Sequence, residues 1–120
     1  MEKQIIEYAS GNEMAVLAVR QIGYDLMGYY PITPSTQIAE GLDALHAEGK
    51  TDLCMIPAEG EHSAAGICYG AAAGGGRVFN ATSANGLLYA IEQLPVQSGT
   101  RMPMVMNVVC RTVSGPLSIK

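Results

Sequence analysis

Charge is scarce in this chain. Only 15% of its 120 residues are Asp, Glu, Lys or Arg, against roughly 25% in an average soluble domain. The seven basic residues stand singly and the formal net charge is −4. No basic run, and no stripe of aromatic and basic residues, is present to neutralise phosphates, so nucleic acid is an unexpected partner. A surface so poor in charge is expected to lie partly against another domain or subunit.

Long apolar runs are missing too. The weakly polar stretch from Ala64 to Gly76 is Ala and Gly with one Ile, one Cys and one Tyr, too short and too mild to span a bilayer. The opening MEKQIIEYASGNE carries acids and has no apolar segment leading to a cleavage site, so it is not a secretory signal. A cytoplasmic protein with no membrane partner is expected. Cysteine is limited to Cys54, Cys68 and Cys110, which lie 14 and 42 residues apart. That spacing contains no CxxC and no Cys–His ladder, so it encodes neither a zinc site nor an iron–sulfur cluster. Each cysteine sits among apolar residues, which suggests reduced, largely buried thiols. The glycines form no GxGxxG after a strand and no GxxxxGK[ST]; Gly74, Gly75 and Gly76 precede a strand, the wrong order for a phosphate cradle.

What is present is hydrophobic periodicity. With 48% hydrophobic residues the chain has ample material for a core, which excludes disorder. Gly11-Asn12 can cap a helix from Glu13 to Ile22 whose apolar face is Met14, Leu17, Ala18 and Ile22. Tyr24 to Ile32 reads as a short strand running into a loop held by Pro31 and Pro34. Ser35 or Thr36 opens a second helix, with Ile38, Leu42 and Leu45 on one face and Gly49 at its end. Asp52 to Pro57 is apolar after its first residue, as in a buried parallel strand. An Ala- and Gly-rich helix is expected from Gly60 to Ala73, a strand from Arg77 to Thr82, a helix from Gly86 to Leu94, and a strand from Met104 to Cys110. Strands alternating with helices predict an α/β fold, a parallel sheet with helices on both faces. The whole of residues 1–120 reads as a single domain, and its stop just after the last strand suggests a piece of a longer protein.

In open α/β sheets ligands gather beyond the carboxyl ends of the strands. That rule nominates PITPST, PAEGEH, TSAN and CRTVSG. Thr33, between two prolines with fixed φ, is either a ligand-facing hydroxyl or part of a plain proline turn. Glu61 opens a helix after a strand: it is either a first-turn acid favoured by the helix dipole or a grip on a heterocyclic nitrogen. Glu59 competes with it, and spacing does not choose between them. His62 suits a surface or a neighbouring chain as well as acid–base work. Arg111 follows an apolar strand and suits a bidentate hold on a carboxylate, or an ion pair with Glu59 or Glu61. Ser83 and Asn85 can bond a ligand or cap a helix.

Taken together, GYYPITPSTQIAE, EGEHSAAGICYGAAAGG, FNATSANGLLYAIEQL and VVCRTVSG resemble, in order, the thiamine-diphosphate pyrimidine-binding domain of 2-oxoacid:ferredoxin oxidoreductases, as found in the alpha subunits of the pyruvate and 2-oxoglutarate enzymes. The resemblance covers nearly the whole chain from Gly11 onward. It implies that thiamine diphosphate lies between two αβ domains, with the aminopyrimidine on this one and the diphosphate and Mg2+ on another domain or subunit. It aligns Glu61 with the glutamate that bonds a pyrimidine nitrogen and favours the imino tautomer, the catalytic role. Pro31, Ile32, Thr33, Ser83 and Asn85 would contact the cofactor, while Thr33 and Arg111 would bind the 2-oxoacid. Iron–sulfur clusters, coenzyme A and ferredoxin would belong to other parts of an oligomer, and no metal ligands are expected on this chain. Two departures touch the site: the turn that often reads TSGPG in relatives is Thr82-Ser83-Ala84-Asn85-Gly86, and His62-Ser63 is less usual. They leave the substrate open. The alternatives are a transketolase- or decarboxylase-type enzyme, against which YPITPST argues, and a non-catalytic paralogue acting as a binding module.

Overall fold

Small residues set how closely the layers approach. The computed structural model describes residues 4, 6–113, 116 and 118. Four parallel strands, β1 (Leu26–Tyr29), β2 (Cys54–Pro57), β3 (Val78–Thr82) and β4 (Val105–Val108), form one sheet in the order β2-β1-β3-β4. Helices α1 (Gly11–Ile22), α2 (Thr36–Ala47), α3 (Glu61–Ala73), α4 (Ala84–Ala90) and α5 (Gln93–Gly99) fill the connections. The α/β reading therefore holds, with helices on both faces.

Alternation along β1 and β3 sorts the core into two layers. Met27, Phe79 and Ala81 meet Val19 of α1 and Ile38, Ala39 and Leu42 of α2, with Leu53 closing the cluster. On the opposite face, Val78 packs with Cys68 and Ala72 of α3 beside Leu26. At Gly28 a Cβ would stand 2.7 Å from the carbonyl oxygen of Ala64 and 3.0 Å from Ile67 Cγ2. The missing side chain lets α3 rest directly on the middle of the sheet.

Helix ends follow local chemistry. Ser10 caps α1: its hydroxyl accepts from the Glu13 amide while the Glu13 carboxylate accepts from the Ser10 amide at 2.7 Å. The cap is thus one residue earlier than Gly11-Asn12. The Ser10 bonds hold the Glu13 carboxyl below its ordinary range. Gly49 (φ +67°) follows α2, and Gly75 (φ +90°) follows α3, where only glycine adopts the left-handed turn without strain.

Four expectations need correction. The strands are shorter than their apolar runs, because the flanking residues leave the ladder for turns. The helix expected from Gly86 to Leu94 is two, α4 and α5, broken at Ile91-Glu92. Pro95 has no N–H for the Ile91 carbonyl and its ring crowds that oxygen, so a continuous helix is disfavoured there, whereas a proline in the first turn of a new helix is tolerated. Helix α1 packs through Ala15, Val16 and Val19 and leaves Met14 and Ile22 44% and 49% exposed; contact with α2 through Val16 and Gly41 rotates the expected face. Finally, Cys54 and Cys110 are exposed and only Cys68 is buried, since β2 is an edge strand and Cys110 lies past the end of β4.

Two outcomes follow from this packing. Gly28→Ala, forced against a backbone oxygen, should destabilise the chain by about 1–3 kcal/mol, seen as a drop of several degrees in the thermal unfolding midpoint; an unchanged midpoint would mean that α3 is not seated as described. Burial pushes the Cys68 thiol up from its ordinary value, so a thiol-alkylating reagent near neutral pH should label Cys54 and Cys110 in the folded chain, and Cys68 only after denaturation.

Candidate functional site

The order β2-β1-β3-β4 makes β1 and β3 neighbours whose connections leave in opposite directions, a switch point of the kind that opens a crevice at the carboxyl ends. The crevice begins inside the sheet. β1 pairs with β3 only through Leu26↔Val78 and Met27↔Phe79. Beyond that point the Gly28 carbonyl accepts instead from Asn80 Nδ2 at 2.7 Å. All four nominated stretches follow the carboxyl ends of these strands; Ser114 and Gly115 of the last one lie outside the described residues.

Thr33 and Arg111 meet. Arg111 Nε donates to the Thr33 carbonyl at 2.7 Å and Nη1 to the Thr112 carbonyl at 3.1 Å. The expected alternative, an ion pair with Glu59 or Glu61, is not found among the described residues. Part of the guanidinium fork is left for another acceptor. The loop under Thr33 is well held: Ser35 Oγ donates to the Ile32 carbonyl at 2.8 Å, and Asn12 Nδ2 to the Pro34 carbonyl at 3.0 Å. Ile32 is half-buried, while Pro31 and the Thr33 side chain are exposed at the rim.

Glu61 is the first residue of α3, where the helix dipole favours a carboxylate. Its side chain lies across the first turn of α4. A Cβ placed on Gly86 would be 2.8 Å from both Glu61 Cγ and Glu61 Oε1, and 2.5 Å from Thr82 Oγ1. Glu59, by contrast, is exposed. Gly60 between them faces the Tyr89 ring, with Cε1 2.9 Å from where its Cβ would stand. Beside this cradle, Thr82 Oγ1 and Ser83 Oγ are buried and have no hydrogen-bond partner. The capping role open to Ser83 is not taken: it starts α4 without a side-chain bond. Asn85 is exposed. His62 is tied to the α4–α5 turn, with Nε2 2.6 Å from Glu92 Oε1 and 2.8 Å from Gln93 Nε2.

The structure therefore joins Thr33 to Arg111, and Glu61 to the TSANG turn, as two halves of one sheet edge. Volume does not select this edge. An open depression of about 710 Å³ beside Thr33 is matched by one of about 670 Å³ at the amino ends of the strands. Chemistry does: a carboxylate in a glycine cradle with unpaired buried hydroxyls suits a heterocycle that carries both donors and acceptors. Sequence reasoning passed over Tyr89 and Asn80, and took Thr82 and Gly86 only as the ends of the TSANG turn, without roles of their own. Only Thr82 had a legible signal, as a hydroxyl at the end of an otherwise apolar strand.

Residues 17–120 match the sequence profile of the family described as pyruvate flavodoxin/ferredoxin oxidoreductase, thiamine diphosphate-binding. The chain belongs to that family. It is 44% identical over 117 residues to the ketoisovalerate oxidoreductase subunit VorA of Pyrococcus abyssi, covering 98% of this chain and 30% of the relative. It is 44% identical over 120 residues to the pyruvate synthase subunit PorA of Thermotoga maritima, covering 99% and 31%. The alpha subunit of an NADH-dependent phenylglyoxylate dehydrogenase from Aromatoleum evansii is 38% identical over 117 residues, covering 98% and 28%. Among solved structures, the 2-oxoglutarate:ferredoxin oxidoreductase from Magnetococcus marinus, with 2-oxoglutarate, coenzyme A and succinyl-CoA bound, superimposes with a TM-score of 0.78 at 29% identity, covering 90% of this chain and 18% of that one. The chain thus spans about 30% of the length of the VorA and PorA subunits.

Within this oxidoreductase family member, the TSANG turn carries a visible strain. Ala84 is held at φ +35°, a region that costs an L-residue about 1–2 kcal/mol, part of which glycine returns through unfolded-state entropy. Ala84→Gly should raise stability by about 0.5–1 kcal/mol, read as a higher melting temperature. A lower one would mean that the Ala84 methyl contributes more in packing than the backbone loses.

Proposed function

We propose that this chain is the aminopyrimidine-holding part of a thiamine-diphosphate-dependent oxidoreductase that decarboxylates a 2-oxoacid to an acyl-coenzyme A. The observation that carries the reading is Glu61 lying in the Gly86 cradle beside two unpaired buried hydroxyls at the switch point. Glu61 would hold a pyrimidine ring nitrogen by a hydrogen bond to its carboxylate. Ser83 supplies a donor from within the crevice, Asn85 a polar contact at its rim, and Pro31, Ile32 and Thr33 a stiff wall. Arg111, aimed by the Thr33 and Thr112 carbonyls, presents its remaining N–H groups to the carboxylate of the 2-oxoacid, with the Thr33 hydroxyl alongside. When bound, thiamine diphosphate supplies the nucleophilic carbon and the electron sink, and the protein supplies orientation and charge.

The diphosphate and Mg2+ are assigned to another domain or subunit, as are the iron–sulfur clusters and the coenzyme A site. Ferredoxin is the proposed acceptor and the cytoplasm the proposed location, within an oligomer. The low charge of this chain and the relatives' greater length support the need for partners. In addition, no helix among the described residues is long and apolar enough to cross a membrane. The relatives' names include pyruvate, ketoisovalerate and phenylglyoxylate, so those names single out no one 2-oxoacid.

Calorimetry with thiamine diphosphate and Mg2+ tests the reading. The chain alone should bind weakly or not at all, and the assembled enzyme tightly. Glu61→Gln in the assembly should weaken binding roughly 10–100-fold, the worth of a hydrogen bond to a charged group. No binding in either form would leave a non-catalytic binding module as the better description.

A further inference from the structure

The buried hydroxyl of Thr82, unlike that of Ser83, is given no contact of its own in the reading above, and it is chemically out of place. Thr82 is 2% exposed, and its Oγ1 has no hydrogen-bond partner. Leaving a buried hydroxyl unpaired costs about 1–3 kcal/mol, so such groups in a native core call for an explanation. The hydroxyl stands at the carboxyl end of β3, within 2.5 Å of the point where a Gly86 Cβ would be, and Glu61 Oε1 lies 2.8 Å from that same point. The two oxygens are therefore neighbours across a space that only the absence of a side chain at position 86 keeps open. No donor, Thr82 included, is bonded to the Glu61 carboxylate among the described residues.

We propose that Thr82 and Gly86 are positioning residues for Glu61, an inference that rests on the function proposed above. Gly86 leaves the gap into which the carboxylate swings, and Thr82 donates a hydrogen bond to the inner carboxylate oxygen once a ring nitrogen engages the outer one. The hydroxyl stays unpaired until then. A carboxylate held on one oxygen by a fixed donor presents the other in a single orientation. That orientation is what a tautomer-selecting contact requires, since a hydrogen bond weakens steeply when misaligned. The device costs stability in the free chain and returns it on binding.

That trade distinguishes the proposal from a structural role. Valine is nearly the same shape as threonine, so Thr82→Val removes an unpaired buried hydroxyl and should leave the melting temperature equal or higher. In the assembled enzyme the same variant should bind thiamine diphosphate about tenfold more weakly by calorimetry and change the near-ultraviolet circular dichroism of the bound aminopyrimidine. Thr82→Ser should recover most of both signals; Thr82→Ala, which cannot overpack, serves as a second removal of the hydroxyl. Wild-type affinity and dichroism in Thr82→Val and Thr82→Ala, with affinity lost in Glu61→Gln, would overturn this inference and leave the proposed function standing. A loss of affinity that tracks a fall in melting temperature would overturn it too. If Glu61→Gln binds the cofactor normally, the underlying reading fails and this one with it.

Discussion

The contact between α3 and β1 is the constraint on which the rest depends. Gly28 brings the Ala64 backbone to within van der Waals distance of the sheet, and the small residues of α3 keep that closeness along its length. A helix so poor in large side chains buries little area per residue, so its attachment relies on many short-range contacts rather than on a few large groups. Its position decides where its first residue points. Because α3 follows an edge strand yet packs over β1 and β3, its N-terminus delivers Glu61 to the centre of the sheet edge, next to the end of β3.

The same edge accepts local costs, and so does α5 at the buried, unpaired amide of Gln97. Ala84 is held at positive φ, and Thr82 and Ser83 bury hydroxyls without partners. The three are consecutive, at the turn from β3 into α4. Breaks in local consistency of this kind concentrate where function demands them. Across from them, Arg111 is oriented by the Thr33 and Thr112 carbonyls and keeps part of its guanidinium free, so each half of the edge holds polar groups in reserve.

The scarcity of charge has its structural counterpart in exposed apolar surface. Leu88, Tyr89, Ile91 and Val96 of the α4–α5 region are each about half exposed or more, and Val105 and Val108 of the edge strand are 49% and 38% exposed. Scattered singly these would be ordinary; within two adjoining helices they form a neighbourhood with Glu92 as its one charge. Such a surface fits a domain whose relatives continue well beyond its length.

The sequence by itself determined the alternation of strands and helices, the parallel sheet, the glycine stops after α2 and α3, and the four stretches that share one edge. Each of these follows from period, turn chemistry or chain direction, which are local properties. It also pointed to Glu61 and Arg111, but with two readings apiece, because a first-turn acid and a ligand-binding acid have the same sequence. Tertiary structure set their surroundings. It set Glu61 against Gly86 and left Glu59 exposed, turned Arg111 onto the Thr33 carbonyl, split the last helix at Ile91-Glu92, rotated α1 onto Val16 and Val19, and brought Cys54 and Cys110 to the surface. These outcomes depend on which elements become neighbours and how closely they pack. Strand order and a missing Cβ at Gly28 or Gly86 act between residues far apart in the chain, where no periodicity carries the information.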